Sequence, residues 1–579
     1  MAGSKGASGF LSKERIIASD GFNRWKVPPA SIAIHLCIGS VYAWSIFNPY
    51  LVRQIGVAAP AAEDWSLSSV VAIFSVAILC LGLAAAVAGK WLEEVGPRMV
   101  GVVAACLWGG GYIIGGLGIL YHQLWLLYLG YGVLGGCGLG LGYVSPVSTL
   151  IRWFPDRRGM ATGLAIMGFG GGAMIATWVQ EALLSFYSHA PTYLGAADAV
   201  KMVTEGGRRM VESGGRMLEV VVVNAQQVAE NSLIDLPGVY VVNTGSTGAA
   251  ATFFTLGIAY FLVMVVASLF YRLPAPGWRP KGWTPPEEDA SPQRMITRHN
   301  VHIDTALRTP QFWLLWIVLC FNVTAGIGVI GVARTMMTEI FGTTLPGIVD
   351  SAFAATYVLM ISVFNMLGRF FWASMSDYIG RKTTYYIFTG LGTLLYLSIP
   401  FAAAGVSASP TVVWLVMFYA ATMVIFTMYG GGFSTIPAYL ADIFGTRYVG
   451  GIHGRILTAW STAGVLGPMA ITALRDYSVA NAIRDLASRV SPEAFMQKFG
   501  APVSRLPELV DANTVTISGL MEIMPEGTVD PTPSVYNSTM YAMAALLVIA
   551  FIANWAVGPV HEKHHMAEED EARVAGGGA

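Results

Sequence analysis

Twelve apolar stretches dominate the chain, near 29–52, 66–91, 98–121, 123–149, 160–186, 251–271, 310–335, 350–374, 384–404, 411–438, 454–474 and 539–558. A helix needs about 20 predominantly apolar residues to cross the hydrocarbon layer, whereas a membrane strand takes about 10. Inside lipid every backbone N–H and C=O must be satisfied within the protein, which leaves helices as the structure for segments this long. The expected fold is therefore an all-α membrane protein with twelve transmembrane helices. Charge content fits that expectation, since only 12% of the 579 residues are Asp, Glu, Lys or Arg, against about 25% in soluble domains. A net charge of −1 gives no general attraction to nucleic acid. Cys37, Cys80, Cys106, Cys137 and Cys320 lie in apolar runs without metal-ligand spacing. They read as small buried side chains, and neither a metal nor a cofactor is expected.

Orientation follows from the basic residues. The first stretch is preceded by a polar, basic segment from Lys5 to Lys26 and lacks a small-residue cleavage pattern, so it reads as a retained helix. With the N-terminus placed in the cytoplasm, 22 Lys and Arg fall on the cytoplasmic side and 11 on the other, with Arg369 inside a span. That bias is the one expected of cytoplasmic loops, and an even span count puts both termini there. The expected location is a plasma membrane or bacterial inner membrane.

The chain also repeats itself. Glu94-Val95-Gly96-Pro97-Arg98 follows the second span, and Tyr378-Ile379-Gly380-Arg381-Lys382 follows the eighth. Arg152 to Gly159 follows the fourth and Asp442 to Arg447 the tenth. The division is a tail at 1–28, a six-helix half at 29–271, a Pro-rich charged linker at 272–309, a second half at 310–558 and a tail at 559–579. Insertions at 187–250 and 476–538 occupy equivalent places in the two halves. Their amphipathic runs, Gly215 to Ala229 and Ser478 to Phe499, suggest that they pack together as a small outer cap. Two pseudo-symmetric halves suggest a transporter whose halves rock about a midplane site.

The segments Gly89 to Arg98 and Ser376 to Lys382 resemble the two inter-helix signatures of the major facilitator superfamily, the first lacking the usual Asp. More narrowly, His35 to Ser45 and Arg152 to Gly159 resemble the oxalate:formate antiporter family and its relatives, the monocarboxylate transporters. The resemblance implies alternating access, with Gly96, Arg98, Arg157, Asp377 and Arg381 in gating or conformational roles.

Arg369 is the residue with the most to explain. It lies eight residues inward from Asp377, about 12 Å into the membrane at 1.5 Å per residue. A charge at that depth must face a partner, water or a ligand. The structural alternative is an arginine bonded to backbone carbonyls or snorkelling to the interface. The functional reading is an anion clamp, because a guanidinium offers a planar fork to a carboxylate. The resemblance assigns the substrate-binding cation to this same position, in Asn365-x-x-Gly368-Arg369.

Two departures from the relatives bear on substrate charge. Where the oxalate exchanger has a second cation in span 11 this chain has Trp460, and where proton-coupled relatives have an Asp it has Asn365. One buried cation suits one carboxylate, so a monocarboxylate such as formate or lactate is expected, with an oxalate-type dicarboxylate antiporter as the alternative. That alternative needs Arg455 to replace the lost cation from a deeper start of span 11. Tyr42, Trp44, Tyr143, Tyr429 and Trp460 are candidates to enclose the acid, each also readable as ordinary membrane packing. His35, near the inner end of span 1, is either a proton-accepting group or a satisfied interfacial histidine. Glycines at 135–142, 163–172 and 430–432 read as close-packing devices. No nucleophile–base pair or metal cluster appears in the spans, so the chain does not read as an enzyme. A membrane sensor using the outer insertions is the competing class. The expected partners are a small organic anion, the bilayer and protons as coupling ion, acting on a monomer.

Overall fold

The computed structural model describes residues 9–205, 208–223, 228, 233–284, 295–499, 502–511, 515 and 517–566. Twelve helices among them are long and apolar enough to cross a membrane: α1 (Arg24–Ile46), α2 (Ser69–Val95), α3 (Pro97–Leu120), α4 (Leu124–Trp153), α5 (Arg158–Tyr187), α6 (Ala249–Leu269), α7 (Pro310–Ile330), α8 (Thr356–Ile379), α9 (Arg381–Ala408), α10 (Val412–Phe444), α11 (Val449–Arg489) and α12 (Thr532–Ala556). They form two six-helix bundles, α1–α6 and α7–α12, which meet along α2 with α11 and along α5 with α8. The side of the molecule that carries the linker is its linker face, and the opposite side its insertion face.

Local chemistry sets where helices begin and turn. Thr309 and Asp350 cap the helices Pro310–Phe341 and Ser351–Ile379 that contain α7 and α8, accepting the amides of Phe312 and Phe353, which have no partner inside the helix. The α2–α3 and α8–α9 turns pass through Gly96 at φ 87° and Gly380 at φ 86°, backbone that favours glycine. Just past each turn a basic residue holds a distant helix end. Arg98 donates to the Leu269 and Tyr271 carbonyls at the end of α6, and Lys382 donates to those of Trp555 and Val557 at the end of α12. The sequence repeat is thus a repeat of bonds, in which a cation meets the negative end of a helix.

Three helices depart from regular geometry. α1 tightens into a 3₁₀ segment over Ser40–Ile46, α4 widens into a π segment over Tyr128–Gly135, and α11 breaks at Leu457 between Val449–Ile456 and Thr458–Arg489. The span expected at 454–474 is longer at both ends, because the helix starts nearer the linker face and continues into the second insertion. Cys37 and Cys320 are buried as expected, but Cys80 and Cys137 are half-buried and Cys106 is exposed on α3.

The two insertions differ in kind. The first folds into five antiparallel strands, β1 (Tyr193–Gly195), β2 (Met202–Glu205), β3 (Arg208–Ser213), β4 (Arg216–Val223) and β5 (Gly238–Val241), in the order β1-β5-β4-β3-β2. Val221, Val223, Tyr240 and Val242 cluster with Ala58 and Ala59 of the α1–α2 loop, and the Asn243 amide donates to the Ile55 carbonyl at 3.1 Å. The second insertion is helical, with Pro492–Phe499 and Ile517–Met521 following the long α11. Its Ile483, Leu486, Phe495 and Leu520 join the apolar core of the membrane bundle. The expected joint cap is therefore corrected: among the described residues, the apolar clusters of the first segment contain no residue of the second. Part of the run Gly215 to Ala229 lies outside the described residues.

Candidate functional site

Arg369 is wholly buried at the junction of the halves. Gly170 of α5 and Gly430 of α10 make room for it, since a Cβ on either would stand 3.2 Å from its Nε or 3.1 Å from its Cγ. Its Nε donates to Asn365 Oδ1 at 3.1 Å, one turn back on α8, and Nη1 makes a long contact of 3.4 Å to the Ile166 carbonyl. Nη2 makes no well-formed hydrogen bond among the described residues, although the Tyr42 hydroxyl is near the guanidinium. The guanidinium lies between two aromatic faces, one from each half, with Phe169 at 5.6 Å and Phe433 at 5.3 Å. Such contacts attract a cation without neutralising it.

A shell of aromatic residues surrounds this guanidinium. Trp460 packs on Phe433 at 4.7 Å and on Phe169 at 5.5 Å between ring centroids. Tyr143 touches Trp460 at 5.4 Å and Phe169 at 5.5 Å. Tyr42 meets Phe169 at 5.2 Å, and Tyr429 meets Phe433 at 5.3 Å. The hydroxyls of Tyr42, Tyr143 and Tyr429 all lie within the field of Arg369. None of these hydroxyls, nor Trp460 Nε1, makes a well-formed hydrogen bond among the described residues. Buried polar groups are normally satisfied, and the contacts that Tyr42 makes with Tyr429 and with Arg369 are loose ones.

Of the residues singled out in the sequence, the structure brings together Arg369, Asn365, Tyr42, Tyr143, Tyr429 and Trp460. Trp44 is elsewhere, packed against Tyr131 with ring centroids 4.4 Å apart inside the first half. Arg455 is not available as a second cation: it donates to Asp304 Oδ1 at 2.6 Å and to the Ile303 carbonyl at 2.8 Å, pinned to the linker. Phe169 and Phe433 are additions from the structure, although each adjoins a glycine run, Gly168 to Gly172 or Gly430 to Gly432. In the sequence those runs read as packing devices, and nothing draws attention to the aromatic beside each.

The linker face is closed by a network of charges between the halves. The amides of Gly159 and Met160, in the first turn of α5, donate to the Asp377 carboxylate of α8 at 2.8 and 2.9 Å. An acid there satisfies orphan N–H groups and complements the helix dipole. Asp377 also accepts from Arg381 at 2.6 Å, Arg381 bonds Asp442 at 3.0 Å, and Asp442 accepts from Arg158 at 2.8 Å. Arg158, rather than the expected Arg157, makes the bond across the halves, whereas Arg157 is exposed. Arg98 and Gly96 serve their own half, as described above. On the pseudo-equivalent side, Glu93 of α2 pairs with Arg152 and faces Gly450 at the start of α11. Nearby, Asp156 is partly buried, which raises a carboxyl, but the fork of Arg24 at 2.6 and 2.8 Å outweighs this and holds it below the ordinary range.

Residues 31–197 and 238–468 match the model of the Major Facilitator Superfamily. The apicoplast pyruvate carrier 1 of Toxoplasma gondii is 25% identical over 477 residues, covering 73% of this chain and 79% of that protein. The oxalate:formate antiporter of Oxalobacter formigenes is 23% identical over 449 residues, covering 77% and 83%. Among solved structures, a variant of the Escherichia coli fucose:proton symporter FucP superposes with a TM-score of 0.51 at 12% identity, over 92% of this chain and 99% of that one. A bacterial homologue of ferroportin in an outward-facing state gives 0.52 at 9% identity over the same shares. At such identities the two structures speak to the fold alone.

Proposed function

The chain belongs to the major facilitator superfamily, and from that premise we propose that its cargo is a small carboxylate, a monocarboxylate such as formate or lactate before others. The protein is a secondary active transporter that works by alternating access, and it is a carrier, not an enzyme. One observation carries the substrate reading. Among the described residues Arg369 has no carboxylate partner, and every unpartnered polar atom in its aromatic shell belongs to a group that donates hydrogen bonds. A guest that accepts from a guanidinium, three phenols and an indole is an anion, and the planar fork of Arg favours a carboxylate. The relatives named as a pyruvate carrier and an oxalate:formate antiporter support the same class.

The same charge count supports exchange. An empty carrier would have to rearrange around a bare buried cation, and a carboxylate removes that penalty. Substrate is therefore returned for substrate. The bias of basic residues supports a cytoplasmic linker face with both termini on that side, in a plasma or bacterial inner membrane. The test is counterflow in liposomes, with labelled formate, lactate, pyruvate and oxalate as probes. Uptake of a monocarboxylate against a preloaded monocarboxylate is expected, with loss of uptake in Arg369→Lys. Absence of counterflow with all four overturns the reading.

A further inference from the structure

Two imidazoles stand on the linker side of the aromatic shell and play no part in the reading above. His35 of α1 and His453 of α11 are buried, and none of their four ring nitrogens makes a well-formed hydrogen bond among the described residues. Each lies seven residues, about two helical turns, toward the linker face from a shell aromatic, His35 from Tyr42 and His453 from Trp460. Tyr143 joins them, its ring 5.3 Å from that of His35 and 5.8 Å from that of His453. Tyr143 is also in contact with the shell through Trp460. His35 feels the charge of Arg369 and of His453 and makes loose polar contacts with the backbone of Ser31 and of Tyr143.

The remaining titratable groups around the pair are few. α4 contributes Tyr143 and α8 contributes Arg369. α6 ends near Tyr271, beside Ser31 and Ser145. On α2, Glu93 faces Gly450, about one turn toward the linker face from His453. Asp442 of α10 is engaged by Arg158 and Arg381. α5 presents the uncharged Phe169 to His35 at 6.4 Å.

We propose that His35 and His453, joined through Tyr143, form a proton site that supplies the second positive charge when a dicarboxylate occupies the Arg369 cage. This rests on the carboxylate reading of that cage. With the cage empty, Arg369 opposes a second positive charge; a dianion leaves one negative charge over and reverses that sign. The proton comes from water in the compartment the dicarboxylate leaves and adds to a ring-nitrogen lone pair. It returns to water on the far side as the dicarboxylate departs. One dicarboxylate with its proton then exchanges for one monocarboxylate with no net movement of charge, and a monocarboxylate needs no proton.

The test uses the full chain in liposomes holding a pH-sensitive dye, with labelled oxalate exchanging for formate, and formate for formate. One proton should accompany each oxalate, and the formate–formate exchange should move none. The double variant His35→Asn/His453→Asn, with His35→Gln/His453→Gln as a second pair of side chains, should lose oxalate exchange at least tenfold and keep formate exchange within twofold. Size-exclusion profiles report folding independently. Oxalate exchange without proton movement overturns the proposal, as does equal loss of both substrates in monodisperse variants. Wild type that exchanges formate but never oxalate also overturns it and leaves the Arg369 reading intact; exchange of neither anion removes both.

Discussion

Replacing Arg158 by Gln removes a bond between the halves while leaving its partner neutralised. Arg158 Nη1 lies 2.8 Å from Asp442 Oδ1, with the side chains 14% and 7% exposed. Asp442 Oδ2 keeps Arg381 at 3.0 Å, so the variant avoids the ~3–5 kcal/mol that follows when a buried charge is left alone. What is lost is one hydrogen bond between charged groups, about 1.5–3 kcal/mol. The bond exists only while the linker face is closed, so the closed-to-open ratio should fall about 10- to 150-fold. Spin labels on exposed Glu94 and Tyr378, near the linker ends of α2 and α8, report that ratio through electron–electron distances in a cysteine-free background. Arg157→Gln, one residue away and exposed, is the control and should shift nothing. An unchanged distance distribution in Arg158→Gln, or an equal change in Arg157→Gln, would refute the assignment of the gate.

Arg369→Lys keeps the charge and loses the fork, so transport should fall at least tenfold while insertion and thermal stability persist; wild-type counterflow would make Arg369 structural. Trp460→Lys places an ammonium among the free phenols, and competition assays should then show a shift toward dicarboxylates whose exchange no longer moves protons. Arg24→Gln breaks the fork on Asp156, whose folded carboxyl is held low. That stabilisation is present above the unfolded pKa and is lost as pH falls through the folded one. The variant should therefore lose about 1 kcal/mol at pH 7, with the difference shrinking in melts taken below the ordinary carboxylate range and vanishing only once pH falls under the lowered Asp156 value.

Membrane helices announce themselves because lipid imposes one rule on every exposed residue, and the same rule makes Arg369 conspicuous: a charge among apolar neighbours requires a reason. The aromatic shell is legible for a related cause, since Tyr42 and Trp460 carry polar atoms into spans that have few others. Phe169 and Phe433 carry none, and their role depends on which face of a helix meets the guanidinium. His453 escapes notice when span 11 is drawn from residue 454, whereas the helix begins at Val449. Arg157 and Arg158 are adjacent at the start of one helix, and only the direction of the first turn decides which reaches Asp442. The sheet is hidden because β4 (Arg216–Val223) falls in the run from Gly215 to Ala229, which reads only as amphipathic, and its partner strands are too short to show a pattern of their own.

The sheet on the insertion face rests on the α1–α2 loop, where the Asp64 carboxylate accepts the amides of Ile55, Gly56 and Ala61. Burial nonetheless pushes that carboxyl above its ordinary range. The helix Ile517–Met521 packs on the long α11 of the other bundle, and α11 is itself held there by Arg475 on Glu339. Each appendage is therefore a handle fixed to one half, and a small rotation at the midplane becomes a wider swing at the handle's tip. A binder that grips one handle rides along with it. A binder that grips both acts as a brake, arresting the carrier from a surface well removed from its cargo.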